Sequence, residues 1–153
     1  MIKDAGRLNQ RWDSHGSIRE QTGHYEDMFR SLNFVMSELS SRRGPAGGSL
    51  LDETTVIVFS EMGRTPGLNS MGGKDHWTWT SALLLGAGIA GGQVLGAYDD
   101  GLVGVPIDLS TGAYDPAGTV ITAAHLGATL LALAGLDPAL YRPGIAPITG
   151  ALR

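Results

Sequence analysis

A short run of apolar and β-branched residues, TTVIVF from Thr54 to Phe59, follows the glycine-rich turn GPAGG. A run of this kind, without polar residues at alternate positions, is typical of a strand that is buried on both faces. The segment before the turn, Glu20 to Ser41, has apolar residues at steps of three and four, which predicts an amphipathic helix. A helix that leads through a turn into a doubly buried strand favours a parallel α/β sheet.

Three further segments extend this pattern. The run from Ser81 to Leu85 predicts a second buried strand, and GGQVLGAYDD at residues 91–100 predicts a shorter third one. The segment from Thr122 to Ala134 predicts a second helix, which Gly135 is placed to end. Two helices cannot cover a sheet of doubly buried strands, so we expect these elements to be part of a larger α/β sheet.

Composition excludes several classes of function. The net charge of −4 and the scattered basic residues argue against a nucleic-acid partner. The absence of cysteine excludes disulfides, thiol catalysis and cysteine-ligated zinc. The longest apolar run, SALLLGAGIAGG, is too short and too rich in glycine to predict a membrane span.

Charged residues come directly after the first predicted strand. Ligands of parallel sheets bind at the carboxyl ends of the strands, which is where Glu61 lies. Arg64 follows after Gly63, and its planar guanidinium suits phosphate, sulfate or carboxylate oxygens. The alternative for Glu61 and Arg64 is a surface ion pair of little energetic value.

Two carboxylate–imidazole pairs lie beside tryptophans. In WDSHG, Asp13 and His15 share one face if the segment is extended, because side chains alternate along a strand. In GGKDHW, Asp75 and His76 are adjacent. Imidazole nitrogen and carboxylate oxygen together suit Zn²⁺ or Mn²⁺. With Glu61, these residues predict a metal site, although no closed motif such as His-Glu-x-x-His is present.

The other histidines favour structural roles. His24 opens the first predicted helix and is predicted to face solvent, whereas His125 lies in the apolar second helix and is predicted to be a packing residue. Ser60 and His76 could belong to a catalytic triad, but the Gly-x-Ser-x-Gly turn is absent.

Four segments resemble a known family: WDSHG, LLDETTVIVFSEMGRTP, GGKDHWTWTSALLLGAGIAGGQVLGAYD and HLGATLLALAGLDP. They are similar to the C-terminal part of an uncharacterised sulfatase-like bacterial family, a domain of unknown function in the alkaline-phosphatase superfamily. The resemblance covers the chain from Arg11 on. It implies part of an α/β/α sandwich, with a mostly parallel sheet, flanking helices and one or two divalent ions (zinc, manganese or calcium) at the strand ends.

The resemblance also implies roles for individual residues. Asp13 and His15 look like the first ligand element, and Glu61 stands where a metal-binding aspartate often follows a strand. His76 is similar to a late histidine ligand, with Asp75 as a weaker ligand or as the partner that orients it. Arg64 is the residue expected to hold the anion.

The implied function is hydrolysis of a small phosphate or sulfate ester. The nucleophile of such enzymes lies far upstream of a Trp-Asp-x-His segment, so residues 1–153 are expected to be a C-terminal fragment that is inactive alone. The alternative is a non-catalytic metal-binding or structural module. Family relatives are often exported, which suggests a periplasmic location, and an exposed sheet edge would allow self-association.

Overall fold

The computed structural model describes residues 12–153, and its elements fall in two compact units, Met1–Leu83 and Leu84–Arg153. The regular elements are, in chain order, α1 (Gln21–Ser41), β1 (Thr55–Phe59), β2 (Gly63–Arg64), β3 (His76–Trp77), β4 (Ala82–Gly86) and α2 (Ala123–Leu133). Short 3₁₀ helices span Leu50–Glu53, Pro138–Leu140 and Thr149–Ala151.

The first predicted helix is confirmed as α1, within one residue of its expected start. It ends where Arg42 turns extended, and the Arg42 side chain binds back to Glu38 with Nη2 and Oε2 2.6 Å apart. Its apolar stripe is only partly covered, because Tyr25 and Phe29 remain about half exposed.

The prediction that His24 faces solvent is wrong. His24 is buried on α1, and its ring lies 5.1 Å from the ring of Trp12, centroid to centroid. Its Nε2 has no hydrogen-bond partner among residues 12–153. The helical period alone places His24 near the charged start of the helix, and it does not show the tertiary contact with Trp12 that accompanies the burial.

The strand Thr54–Phe59 is confirmed as β1, and a capped 3₁₀ turn positions its start. The Ser49 side chain accepts from the backbone of Asp52, and the Asp52 carboxylate accepts from the backbone of Ser49. The expected burial on both faces is wrong, because the strand is half-buried and Phe59 is 61% exposed.

The predicted α/β/α sandwich with a mostly parallel sheet is contradicted. Within residues 12–153 the strands form two sheets of two strands each, β1 with β4 and β2 with β3, and the second pair is antiparallel. The run Ser81–Leu85 does form β4, but residues 91–100 form no regular strand. Gly92 and Gly96 take left-handed φ angles of 78° and 104° there, which interrupt an extended backbone.

The second predicted helix is confirmed as α2, with both ends capped. The Thr122 side chain accepts from the backbone of Ala124, while His125 Nδ1 accepts from the Thr122 N–H at 3.1 Å. Gly135 follows the helix with a φ of 72°, and the Leu136 N–H reaches back to the Leu131 carbonyl.

The second unit is built around a small buried core of Ile107, Ala128, Thr129 and Ile148. Thr129 Oγ1 donates to the His125 carbonyl at 2.7 Å and accepts from the Ile148 N–H at 2.8 Å, so this buried hydroxyl joins α2 to the C-terminal segment. His125 is buried there, which confirms its predicted packing role. No helix in the described part of the chain is both long and apolar enough to cross a bilayer.

Candidate functional site

The β2–β3 hairpin brings two of the predicted site residues opposite each other. Arg64 pairs with His76 across the ladder, and Gly63 pairs with Trp77. Beyond the paired residues, the Thr65 N–H donates to the Asp75 carbonyl at 3.0 Å. The strands are only two residues long, so the hairpin depends on these few bonds to keep Arg64 next to His76.

The segment that carries Asp13 and His15 is joined to the loop before β3. The Lys74 N–H donates to the Ser14 carbonyl at 2.9 Å, and Asn69 Nδ2 donates to the His15 carbonyl at 2.9 Å. A side chain at Gly73 would collide with this segment, since an added Cβ would lie 2.1 Å from the His15 carbonyl oxygen. Close backbone approach at Gly73 therefore fixes His15 beside the loop.

Asn69 organises the loop from within, and the sequence analysis missed it. Its Oδ1 accepts from the backbone N–H groups of Met71 and Gly73, each at 3.0 Å. Its Nδ2 donates to Asp75 Oδ1 at 3.0 Å as well as to the His15 carbonyl. An asparagine a few residues before a Gly-Gly pair is a signal for such a side-chain-bonded turn, because asparagine readily bonds nearby backbone groups.

These contacts bring together imidazoles that are far apart in the sequence. The rings of His15 and His76 lie 4.7 Å apart between centroids, at an angle of 55°. His15 is partly buried and His76 is exposed, so the pair is open to solvent on one side. The hypothesis that the WDSHG and GGKDHW segments contribute to one site is thus consistent with their placement.

Asp13 determines how the His15 ring is oriented. Its Oδ1 lies 2.5 Å from His15 Nδ1 and also accepts from the His15 N–H at 3.0 Å. An ionised carboxylate can only accept, so Nδ1 carries the proton of this hydrogen bond and Nε2 of a neutral ring keeps its lone pair. This is the arrangement found where a carboxylate orients a metal-binding histidine.

The same contacts lower the pKa of Asp13 below its usual value. The hydrogen bond from the His15 backbone N–H is the largest cause, and the bond to the His15 ring comes next. The positive charge of Arg64 lowers the pKa of Asp13 further. Since the pKa is lower in the folded chain, the linked stabilisation is present above the usual aspartate pKa. It is lost as the pH falls through the lowered pKa.

We expect the Asp13 carboxyl carbon to titrate, in an NMR pH series, below the usual aspartate midpoint. His15→Ala should raise that midpoint only part of the way, because the backbone hydrogen bond remains. Asp52, whose pKa is lowered by Ser49, serves as the control and should not change. An Asp13 midpoint that is already ordinary in the native chain would contradict the geometry.

Arg64 lies against the His15 ring. Its Nη1 is 3.4 Å from both ring nitrogens, too long for strong hydrogen bonds, and it donates to the Lys74 carbonyl at 3.3 Å. Among residues 12–153 no carboxylate lies within ion-pair distance of this guanidinium. A half-buried arginine without a carboxylate partner has donors to offer to an external anion.

The predicted metal ligands are only partly brought together. Glu61 is exposed, and its carboxylate accepts from Ser60 Oγ at 3.3 Å and makes no hydrogen bond to the His15–His76 pair. Imidazole nitrogens and carboxylate oxygens fit zinc or manganese chemically. Among residues 12–153, however, no group of three or more histidine, aspartate and glutamate side chains is placed to hold an ion.

Comparison with known proteins identifies a family. The chain matches, over residues 5–147, the family model described as "Protein of unknown function (DUF1501)". No curated protein and no solved structure matches the chain.

Proposed function

The chain belongs to the DUF1501 family, and we propose that it binds a divalent cation through His15 and His76 as part of a phosphate- or sulfate-ester hydrolase. The observation that carries the proposal is the 4.7 Å approach of the two rings, with Asp13 on Nδ1 of His15. The resemblance of the two motif segments to sulfatase-like proteins supports the choice of reaction.

The residues around the ring pair have distinct roles in this proposal. Asp13 orients His15 so that Nε2 is available to the ion. Asp75 is held by Asn69 next to His76, as a further ligand or an orienting partner. A site based on two imidazoles favours zinc or manganese over calcium, because calcium prefers oxygen ligands.

Arg64 would hold the anionic group of the ester. Its guanidinium lies beside His15, and a planar fork of donors suits phosphate or sulfate oxygens. A bound divalent ion would supply charge stabilisation for the transferring group. The chain's own contribution is to place a cationic side chain and an oriented imidazole at one open surface.

Isothermal titration calorimetry of the metal-stripped chain with Zn²⁺, and separately with Mn²⁺ and Ca²⁺, tests the proposal. We expect His15→Ala and His76→Ala to weaken zinc binding about a hundredfold or more, and Asp13→Asn about ten- to a hundredfold. Glu61→Ala should have a smaller effect, because its carboxylate contacts Ser60. Glu26→Gln, on the exposed side of α1, is the matched control. Absence of binding by the folded chain, or binding that tolerates both histidine variants, would refute the metal site.

A non-catalytic metal-binding module is the second candidate, favoured by the lack of a third converging ligand in residues 12–153. Binding of inorganic phosphate to the zinc-loaded chain separates the two. A hydrolase site should bind phosphate more tightly with zinc present than without it, because the bound zinc ion and the phosphate would interact with each other in the site. We expect Arg64→Gln to remove this coupling while leaving zinc binding in place. Zinc binding without phosphate coupling would support the non-catalytic module.

A further inference from the structure

A cleft of about 540 Å³ opens next to the candidate site, between the segment after His15 and the loop before Gly73. Residues 16–19 form one wall, and Leu68, Met71 and Gly72 form the other. These are continuations of the two segments that the Lys74–Ser14 and Asn69–His15 hydrogen bonds join. The size is in the range of small-molecule pockets.

The walls of this cleft combine apolar surface with one positive charge. Leu68 and Met71 are 60% and 66% exposed, so both large apolar side chains offer surface to an occupant. Arg19 lies on the opposite wall, and no carboxylate of residues 12–153 is within ion-pair distance of it. An occupant that satisfies both features is a small anion with an apolar body.

The geometry points to this cleft as a binding site for amphipathic anions, in which Leu68 and Met71 cover the apolar body and Arg19 binds the negative charge. Because the cleft is continuous with His15 and Gly73, we assign it to the organic group of an ester substrate. This assignment to a substrate rests on the proposed function. Binding of the anion itself does not depend on a metal ion.

Phenyl phosphate is a suitable probe, and the ε-methyl groups of the methionines are suitable reporters. In ¹³C-methyl NMR of the full chain with a metal chelator present, phenyl phosphate should shift the Met71 methyl saturably. Met28 and Met36 on α1 should not move. Inorganic phosphate and phenol, which lack the apolar body and the charge respectively, should each bind at least about fivefold more weakly.

Arg19→Gln should weaken phenyl phosphate binding about fivefold and leave phenol binding unchanged. Arg30→Gln, an exposed arginine on α1, is the matched control and should bind as the native chain does. An unmoved Met71, equal shifts at Met28 and Met36, or native affinity in Arg19→Gln would overturn the assignment. Because zinc is absent, these outcomes are independent of whether the His15–His76 pair binds metal.

Discussion

Replacing Gly73 with alanine is expected to lower the free energy of unfolding of the first unit by about 3 kcal/mol. The added Cβ would lie 2.1 Å from the His15 carbonyl oxygen and 2.3 Å from that of Ser14. Both obstacles are backbone atoms, so no side-chain rotation relieves the collision. The segment must move away, which breaks the hydrogen bond from Lys74 to Ser14 and the one from Asn69 to His15.

Urea unfolding followed by tryptophan fluorescence measures this effect selectively, because all three tryptophans lie before residue 83. Gly67→Ala is the matched control in the same loop, since its Cβ would meet nothing within 4 Å, and it should change stability by no more than about 0.5 kcal/mol. Zinc affinity should fall in Gly73→Ala and stay native in Gly67→Ala. Equal stability of the two variants would show that the loop and the His15 segment are not joined as described.

Gly63→Ala is expected to be comparably disruptive, with a loss of about 3 kcal/mol. Here the new Cβ would lie 1.8 Å from the Trp79 carbonyl oxygen, again a backbone atom. Because Gly63 is one of the two residues of β2, the strand cannot shift without losing the pairing of Arg64 with His76. Stability and the placement of both site residues should therefore be lost together.

Gly23→Ala provides a control of opposite sign for the Gly63 variant. Gly23 lies within α1, an added Cβ there meets nothing within 4 Å, and alanine should stabilise the helix by about 0.5–1 kcal/mol. The two variants are compared by the same fluorescence-detected unfolding. A Gly63→Ala chain as stable as the native one would mean that Gly63 can move away from the Trp79 carbonyl without loss of the pairing between β2 and β3.

The helices and the two longer strands were predictable from the sequence, because their signals are local. The three-and-four spacing before Ser41 predicts the helix α1 from its own residues, and Gly135 in the same way predicts where α2 ends. The parallel sheet was a wrong inference, since a short apolar run such as Thr55–Phe59 shows a strand without showing what covers it. The burial of His24 by Trp12 is likewise a tertiary contact that periodicity cannot express.

The candidate site was predictable in its residue types and only partly in its arrangement. The motif segments identified His15 and His76, which the structure brings together, and Arg64, which lies against the His15 ring. Glu61 was included because it follows β1, but its carboxylate bonds to Ser60 instead. Asn69 was missed although its bonds to Met71 and Gly73 are local and fit an asparagine before a Gly-Gly pair; only its bond to the His15 carbonyl is a tertiary contact that no spacing shows.

The most direct test of the metal-site proposal is a zinc titration observed through the ring nitrogens of the four histidines by long-range ¹H–¹⁵N NMR. His24 and His125 are internal controls, because one is buried beside Trp12 and the other caps α2. The proposal predicts that the His15 Nε2 and a His76 ring nitrogen shift on zinc addition, that His15 Nδ1 stays protonated, and that His24 and His125 do not change. Unchanged resonances of His15 and His76 at saturating zinc, or equal shifts at all four rings, would contradict it.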